Sequence, residues 1–336
     1  MKIIYIAHES WEEDYFKAKL PAGEIIYKMG APAEVALTND EAQAEVLCVF
    51  AGDQINEEVF NRLPKLRLIA TRSTGFDHID LAGAKARGVT VVSVPTYGEN
   101  TVAEFAFALI LALSRKICDA HERVKEEHSF TLEGLAGFDL AGKVLGLVGC
   151  GHIGAHMARM AKGFAMEVIV FDTHQDAALA TELGFSYASL PEVLARADII
   201  SLHVPYLPTT HHLINAEAFG RMKPGAYLIN TARGGVVDTE ALVDALKNGS
   251  LAGAGLDVLE EEGDMQDEIA LLHGHPKEEE LKIVLANHYL TGHPRVIITP
   301  HIAFDTQEAK QRILDTTASN ILAYFAGTPQ NVVPNP

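Results

Sequence analysis

The first hundred residues alternate short apolar runs with longer segments of mixed polarity. The apolar runs are almost continuous, which is typical of parallel strands that are covered on both faces. The mixed segments at 56–62 and 80–87 have helical length, and Gly88 follows the second at the position of a C-terminal cap. This alternation predicts a doubly wound α/β domain. The predicted strands are 2–7, 24–28, 45–50, 66–73 and 89–94.

A second series of strands and helices begins after residue 142. Before it, Pro95 and Gly98 interrupt the pattern, and a largely apolar helix is predicted from 101 to 125. Six strands with helices between them match the number in a full dinucleotide-binding sheet. The six strands are predicted at 143–149, 167–172, 197–205, 226–232, 252–258 and 295–301.

Two segments fall outside this alternation. Residues 260–293 are acidic and include helical stretches at 265–272 and 278–287. A connection of this length is usually an insertion with a function or a mobile flap, and the pattern does not distinguish these alternatives. Residues 305–327 predict one amphipathic helix, which is too short to form a domain and must pack on a part of the protein that is already built.

Length and composition narrow the class of protein. The 336 residues predict two domains. With 27 Lys and Arg against 45 Asp and Glu, the net charge is −18, which disfavours nucleic-acid and membrane partners because both attract basic surfaces. Three cysteines and an N-terminus without a signal-peptide pattern predict a cytoplasmic location. The longest apolar stretch, 105–113, is too short to cross a bilayer.

The strongest local motif is GCGHIG, at residues 149–154. It directly follows a predicted strand and opens a predicted helix, as a dinucleotide-binding turn requires. Glycines there permit a tight turn and let a pyrophosphate approach the helix N-terminus. Asp172 ends the next strand, where it can accept hydrogen bonds from a ribose. No Arg stands in 173–175 to hold a 2′-phosphate, so NAD is favoured over NADP.

Three polar segments follow later strands. Arg233 lies in NTARGG, where it could pair with a carboxylate or form a surface salt bridge. An acidic triplet stands within 257–262, and His301 lies within 299–304. A carboxylate near a histidine stabilises the protonated ring. Taken separately, an acidic triplet is usually solvated and a single His is usually structural.

Two further groups of histidines suggest metal binding, namely His211-His212 and the pair His273 and His275. No cysteine or carboxylate spacing beside them completes a recognisable ligand set. We therefore expect exposed loops at these positions and predict no metal.

Over essentially its whole length, the chain resembles the D-isomer-specific 2-hydroxyacid dehydrogenases, and the D-lactate dehydrogenase branch most closely. The motifs occur in order and with compatible spacing. They are TRSTGFDHID (71–80), VPTYGENTVAEFAFALILAL (94–113), GLVGCGHIG (146–154), SLHVP (201–205), MKPGAYLINTARGGVVD (222–238), GLDVLEEE (255–262) and ITPHIAF (298–304).

The resemblance implies an NAD-dependent oxidoreductase that interconverts 2-keto acids and D-2-hydroxy acids, with pyruvate and D-lactate as the expected pair. It implies two doubly wound parallel-sheet domains with a cleft between them. A flavodoxin-like substrate domain is expected at 1–98 and 302–336, and a Rossmann NAD domain at 99–301. A homodimer is also expected, because the helix at 101–125 offers more apolar surface than one chain would cover.

The same resemblance assigns the site residues. Catalysis falls to Arg233, Glu262 and His301, and Glu262 is selected because it lies five residues after Asp257. Cofactor contacts are expected at Gly149, Gly151, His152, Ile153, Gly154, Asp172, Val204, Pro205, Thr210, Thr231, Ala232, Arg233 and Asp257. Substrate contacts are expected at Thr74, Gly75, Tyr97, Arg233, His301 and Phe304.

Several alternatives stay open on the sequence alone. They are an NADH-sensing corepressor, a glyoxylate or hydroxypyruvate reductase, and a phosphoglycerate-type dehydrogenase. The aromatic Tyr97 and Phe304 and the lack of a C-terminal regulatory domain disfavour the phosphoglycerate type. The lack of long basic or disordered tails disfavours the corepressor.

Overall fold

The chain folds as two compact units, Met1–Gly98 with Asp305–Pro336, and Glu99–Phe304. We call them the first and the second unit. The structure, a computed structural model, describes residues 1–7, 11–20, 23–260 and 278–334. The chain thus leaves the first unit once and returns to it through its C-terminal segment.

The elements of the described residues are numbered along the chain. The strands are β1 (Lys2–Ile6), β2 (Glu24–Lys28), β3 (Val46–Val49), β4 (Leu68–Thr71), β5 (Thr90–Val92), β6 (Val144–Val148), β7 (Glu167–Phe171), β8 (Ser186–Tyr187), β9 (Ile199–Leu202), β10 (Ala226–Asn230), β11 (Leu251–Leu256) and β12 (Val296–Ile298). The helices are α1 (Trp11–Lys19), α2 (Glu57–Arg62), α3 (Leu81–Ala86), α4 (Glu99–Arg115), α5 (Ile117–Glu127), α6 (His152–Gly163), α7 (Ala177–Leu183), α8 (Leu190–Arg196), α9 (Ala216–Arg221), α10 (Thr239–Lys247), α11 (Glu278–Thr291) and α12 (Gln307–Phe325).

The first unit is built on a parallel sheet of order β2-β1-β3-β4-β5. Successive residues of a strand point to opposite faces, and both faces are buried here. Ile3 and Tyr5 contribute to the core shared with α12, whereas Ile4 and Ile6 contribute to the core shared with α2 and α3. The C-terminal helix therefore packs on this sheet, as its amphipathic pattern predicts.

The second unit is built on a parallel sheet of order β12-β11-β10-β9-β6-β7-β8. From β6 the chain builds outward through β7 and β8, and then crosses back to β9 and builds in the other direction. Ligands of open parallel sheets bind at such a reversal, outside the carboxyl ends of the strands. The two doubly wound parallel sheets confirm the predicted fold class.

The structure corrects two expectations about the elements of the second unit. The short strand β8 was not predicted, because two residues carry no recognisable pattern. The helix predicted at 101–125 is two helices, α4 and α5, separated at Lys116, whose φ is +55°. The amide of Phe138 donates to the Ser114 carbonyl at 2.9 Å, and a Cβ at Gly137 would come within 2.0 Å of that oxygen. The loop that contains Phe138 therefore supplies the hydrogen-bond donor for a carbonyl at the end of α4.

Ile117 and Val124 on α5 leave exposed a part of the apolar surface that the sequence suggested for 101–125, whereas helix α4 is largely covered. Its apolar side packs on α6, β10 and β11 within its own unit. The helical stretch expected at 278–287 is α11, whereas the stretch expected at 265–272 lies outside the described residues. Among the described helices, none combines the length and the hydropathy that crossing a membrane would need.

Candidate active site

The segments singled out by sequence in the second unit all follow the carboxyl end of a strand. Since the strands are parallel, these ends lie along one edge of the sheet. Main-chain hydrogen bonds join neighbouring segments at that edge. They are Gly149 N to Phe171 O (2.8 Å), His203 N to Val148 O (2.8 Å), Asp257 N to Asn230 O (2.9 Å) and Thr299 N to Leu256 O (2.9 Å).

The glycine turn after β6 is shaped by close backbone contacts. Gly149 has φ +94°, and a Cβ there would lie 2.5 Å from the His203 carbonyl oxygen. A Cβ at Gly154 would lie 2.4 Å from the Gly149 carbonyl oxygen. Both positions therefore need glycine for the fold itself. Gly151 differs, because a Cβ there would meet no described atom within 4 Å.

Asp172 follows β7 and holds the same turn. Its Oδ2 accepts from the Cys150 amide at 2.6 Å, and its Oδ1 accepts from the His174 amide at 2.8 Å. Burial, with a smaller contribution from the Asp172 charge, raises the pKa of the Cys150 thiol to about 11. Cys150 is therefore neutral, and the two hydrogen bonds place the Asp172 side chain at the turn where a ribose would be recognised.

Two observations test whether a dinucleotide fits this edge. The space beside Gly151 is open, and α6 begins at the next residue. Because helix N-termini stabilise phosphate groups, a pyrophosphate can be accommodated there. The Thr231 hydroxyl is buried and has no hydrogen-bond partner in the described parts of the chain. Such a group is one that a ligand would satisfy. The residues present therefore fit NAD.

The Arg233 segment after β10 is held by Asn230, which is almost fully buried. The Asn230 amide donates from Nδ2 to the Arg233 carbonyl (2.9 Å), and its Oδ1 accepts from the Ala232 amide (3.0 Å). On the other side, a Cβ at Gly234 would meet the carbonyl of Leu259 at 2.0 Å. The backbone that carries Arg233 is thus fixed on both sides.

His301 follows β12 and is carried by a loop built around Asp257. The Asp257 carboxylate accepts from the Thr299 hydroxyl (2.6 Å) and from the amides of Ile302 (3.0 Å) and Ala303 (2.7 Å). The His301 amide donates to the Asp257 carbonyl at 2.8 Å, and His301 has φ +54°. Burial raises the pKa of Asp257, against the opposing effects of these donors and of His301. The carboxylate therefore holds the loop that positions the imidazole.

The segment after β9 contains Val204, Pro205 and Thr210, all expected to contact the cofactor. The Thr210 hydroxyl donates to the Pro205 carbonyl at 2.6 Å and accepts from the Leu207 amide at 2.8 Å. Its side chain therefore shapes this loop from within. Desolvation lowers the pKa of His203 to about 3, so the ring is neutral, and its Nε2 lies 2.9 Å from Ser201 Oγ.

The other residues that the sequence assigns to substrate binding or catalysis do not belong to the segments described above. Thr74, Gly75 and Tyr97 belong to the first unit, where Thr74 Oγ1 donates to the Val94 carbonyl at 2.8 Å. Phe304 is the last residue of the second unit and is partly buried. Glu262 lies outside the described residues.

Sequence reasoning missed several residues that build the site. Asn230 and Thr299 anchor the loops of Arg233 and His301, and their only sequence signal is a small polar residue at or just beyond the end of a strand. The expectation of exposed loops fits His211, whereas His212 is partly buried and its Nε2 lies 2.7 Å from Glu260 Oε1. The expectation that the acidic triplet is exposed to solvent is wrong for Glu260, whose side chain is 11% exposed.

Comparison with known proteins gives the family. The profile of the D-isomer specific 2-hydroxyacid dehydrogenase, NAD binding domain, matches residues 107–303. The chain belongs to this family of dehydrogenases. It is therefore an NAD-dependent oxidoreductase, which confirms the resemblance drawn from the motifs and the prediction of NAD as cofactor.

Individual relatives cover from about four fifths to nearly all of the chain. A D-lactate dehydrogenase of Escherichia coli is 39% identical over 82% of this chain and 82% of its own. A glyoxylate reductase of Korarchaeum cryptofilum is 36% identical over 97% of this chain and 90% of its own. The structure is similar to that of an Aquifex aeolicus D-lactate dehydrogenase complexed with NAD and lactic acid, with a TM-score of 0.84 and 36% identity over 97% of this chain and 96% of the other.

Substitutions at two glycines of the turn distinguish a role in stability from a role in NADH binding. We expect Gly154→Ala to lower the free energy of unfolding by about 1–3 kcal/mol, because its Cβ has no room. Gly151→Ala should leave the melting temperature nearly unchanged and weaken NADH binding at least tenfold. Thermal unfolding and NADH fluorescence titration measure the two effects. Unchanged NADH affinity in Gly151→Ala would contradict this assignment.

The desolvated imidazole of His203 predicts a pH dependence of stability. Its folded-state pKa of about 3 lies below the ordinary 6.5, so the unfolded chain binds the proton more readily between these values. Stability is then fully present above pH 6.5 and falls as the pH drops toward 3, by about 2 kcal/mol between pH 7 and pH 5. Urea unfolding at both pH values should show a smaller loss in His203→Gln. An equal loss in both proteins would refute the prediction.

Proposed function

We propose that the protein is a D-lactate dehydrogenase, reducing pyruvate to D-lactate with NADH. The observation that carries this is the placement of Arg233 and His301. They follow β10 and β12, on either side of β11, at the sheet edge where the glycine turn opens. An anion-binding arginine and an imidazole at the same sheet edge as a dinucleotide turn suit reduction of a 2-keto acid.

The proposed roles follow from the residue types. The Arg233 guanidinium binds the substrate carboxylate with its planar pair of donors and stabilises charge that grows on the carbonyl oxygen. Protonated His301 donates its proton to that oxygen as the alkoxide develops. Glu262 stabilises the imidazolium. Bound NADH supplies the hydride for the keto carbon.

The preference for NADH over NADPH is proposed to rest on Asp172. Its carboxylate lies at the end of β7, bonded to the Cys150 amide of the turn. A negative charge at this point accepts hydrogen bonds from ribose hydroxyls and repels a 2′-phosphate. The exposed residue that follows, Thr173, offers no positive charge.

Lactate and glyoxylate are the two substrate classes named by close relatives. The similarity to the lactate-complexed Aquifex enzyme and the aromatic Tyr97 and Phe304 favour pyruvate. The 36% identity with a glyoxylate reductase over 97% of the chain makes glyoxylate the second candidate. Steady-state kinetics with NADH and a panel of pyruvate, 2-ketobutyrate, phenylpyruvate, glyoxylate and hydroxypyruvate decides between them. A higher kcat/KM for glyoxylate than for pyruvate would overturn the proposal, and no turnover with any keto acid would favour a binding protein.

We propose a cytoplasmic location, which the three free cysteines support. They are Cys48, Cys118 and Cys150, of which Cys118 is exposed. An exposed free thiol is stable in a reducing compartment and less so in an oxidising one.

We predict that the protein is a homodimer and that residues following α4 form the interface. Phe130 and Leu132 are 86% and 84% exposed, and Ile117 and Val124 are exposed on α5. Several large apolar side chains exposed in one stretch of the chain are candidates for a protein interface. Light scattering should give twice the chain mass, and Phe130→Glu with Leu132→Glu should give the single mass. A monomeric wild type would refute the prediction.

We expect Arg233→Lys to lose on the order of a hundredfold in kcat/KM for pyruvate although the charge is kept. A lysine ammonium cannot reproduce the planar two-point contact with a carboxylate. NADH affinity should change little, because Asn230 holds the backbone of this segment independently of the side chain. Near-normal kcat/KM would remove Arg233 from the substrate site.

We expect opposite pH profiles for the two directions of the reaction. Keto-acid reduction needs protonated His301 and should slow as the pH rises, whereas hydroxy-acid oxidation needs the neutral ring and should slow as the pH falls. Glu262→Gln removes a charge that stabilises the imidazolium. The pH above which keto-acid reduction slows should therefore be lower in this variant. His301→Ala should abolish most of kcat and leave NADH affinity intact. If the pH at which reduction slows is the same in Glu262→Gln as in the wild type, another carboxylate stabilises protonated His301.

A further inference from the structure

Three metal-ligating side chains converge outside the residues assigned to NAD and substrate. The ligand atoms of His211, His212 and Glu260 all lie within 4.8 Å of one another. His212 Nε2 is 2.7 Å from Glu260 Oε1, and the two imidazole rings stack with centroids 3.9 Å apart. Within the described ranges, this is the group that brings three such residues together.

Each side of this cluster is oriented by a further contact. The Thr239 hydroxyl donates to Glu260 Oε2 at 2.9 Å, which fixes the carboxylate from behind. Tyr206 Oη lies 3.1 Å from His211 Nδ1 and orients that ring. Metal ligands in proteins are typically held in this way by partners beyond the ligand set.

The backbone around the cluster is equally constrained. His212 has φ +48°, the left-handed region that side-chain-bearing residues rarely adopt, and its amide donates to the Gly235 carbonyl at 2.9 Å. The Glu260 carbonyl accepts from Asn287 Nδ2 at 2.8 Å. The ligands therefore come from two segments, after β9 and after β11, whose main chains are both anchored.

We propose that His211, His212 and Glu260 bind a divalent transition metal ion, with Zn²⁺ as the best match. Two imidazoles and one carboxylate form a set that zinc accepts, and water completes a tetrahedral site. At Zn–ligand distances of about 2.0–2.2 Å, tetrahedral ligand atoms lie about 3.4 Å apart. The His212–Glu260 contact of 2.7 Å would thus open by about 0.7 Å.

The chemistry of the His212–Glu260 contact is consistent with an exchange of proton for metal. In this contact the His212 Nε2–H group donates to the Glu260 carboxylate, and Zn²⁺ would replace that hydrogen at Nε2. The bound ion would join the Tyr206–His212 loop to the chain that follows β11. This site is separate from the reaction proposed above and does not depend on it.

Isothermal titration of tag-free, chelator-treated full-length protein with Zn²⁺ tests the proposal. We expect one equivalent per chain with a micromolar or tighter Kd and with release of protons, detected by comparing buffers of different ionisation enthalpy. His211→Ala and Glu260→Gln should each weaken binding by about tenfold or more. His121→Ala, at an exposed position on α5, serves as the matched control and should bind as the wild type does.

Three results would overturn the proposal. They are the absence of Zn²⁺ binding at submillimolar concentrations, wild-type affinity in His211→Ala, and loss of binding in His301→Ala, which would place the ion at the catalytic histidine instead. His211 is exposed, so its substitution keeps the test decisive even if Glu260→Gln fails to fold. Co²⁺ substitution gives a second readout, because tetrahedral cobalt bound by nitrogen and oxygen absorbs in the visible range and the signal should vanish in His211→Ala.

Discussion

The strands of the seven-stranded sheet all run in the same direction, and this constraint gathers the chemistry of the second unit at one edge. Parallel pairing forces each strand to end on the same side, and each connection must cross back through a helix. Gly149, Arg233 and His301 are far apart in the chain and still follow strands of the same sheet. The main-chain bonds between neighbouring strand ends carry that alignment into the loops themselves.

A buried carboxylate converts this alignment into a defined position for the imidazole. Asp257 is almost fully buried and accepts hydrogen bonds from a hydroxyl and two amides of the His301 loop. A buried charge that lacked these donors would cost several kcal/mol. The same interactions that satisfy Asp257 also hold His301 with positive φ, a conformation that an isolated loop would rarely adopt. Stability and the geometry of the proposed acid–base group therefore rest on one set of contacts.

In the first unit, a buried ion pair likewise lies just before Thr74 and Gly75 in the chain. Arg72 is buried, and its Nη1 donates to Glu12 at 2.9 Å and to the Tyr5 hydroxyl at 2.6 Å. Removing one partner of such a pair is strongly destabilising, because it leaves the other charge buried and unpaired. Thr74 and Gly75, which are expected to contact the substrate, thus lie two and three residues after Arg72 and its buried ion pair.

The sequence by itself determined the fold class and the glycine turn, because apolar periodicity and the spacing of glycines are local properties of the chain, and the ordered motifs gave the resemblance to the family. Gly149 and Gly154 could be read from their motif, and the structure adds the carbonyl oxygens that forbid a side chain there. Only the tertiary structure decided what the polar residues do. Asp257 holds the His301 loop, and His212 meets Glu260, 48 residues further along the chain. Such contacts depend on which strands are neighbours in the sheet, and no periodicity within a single segment encodes that order.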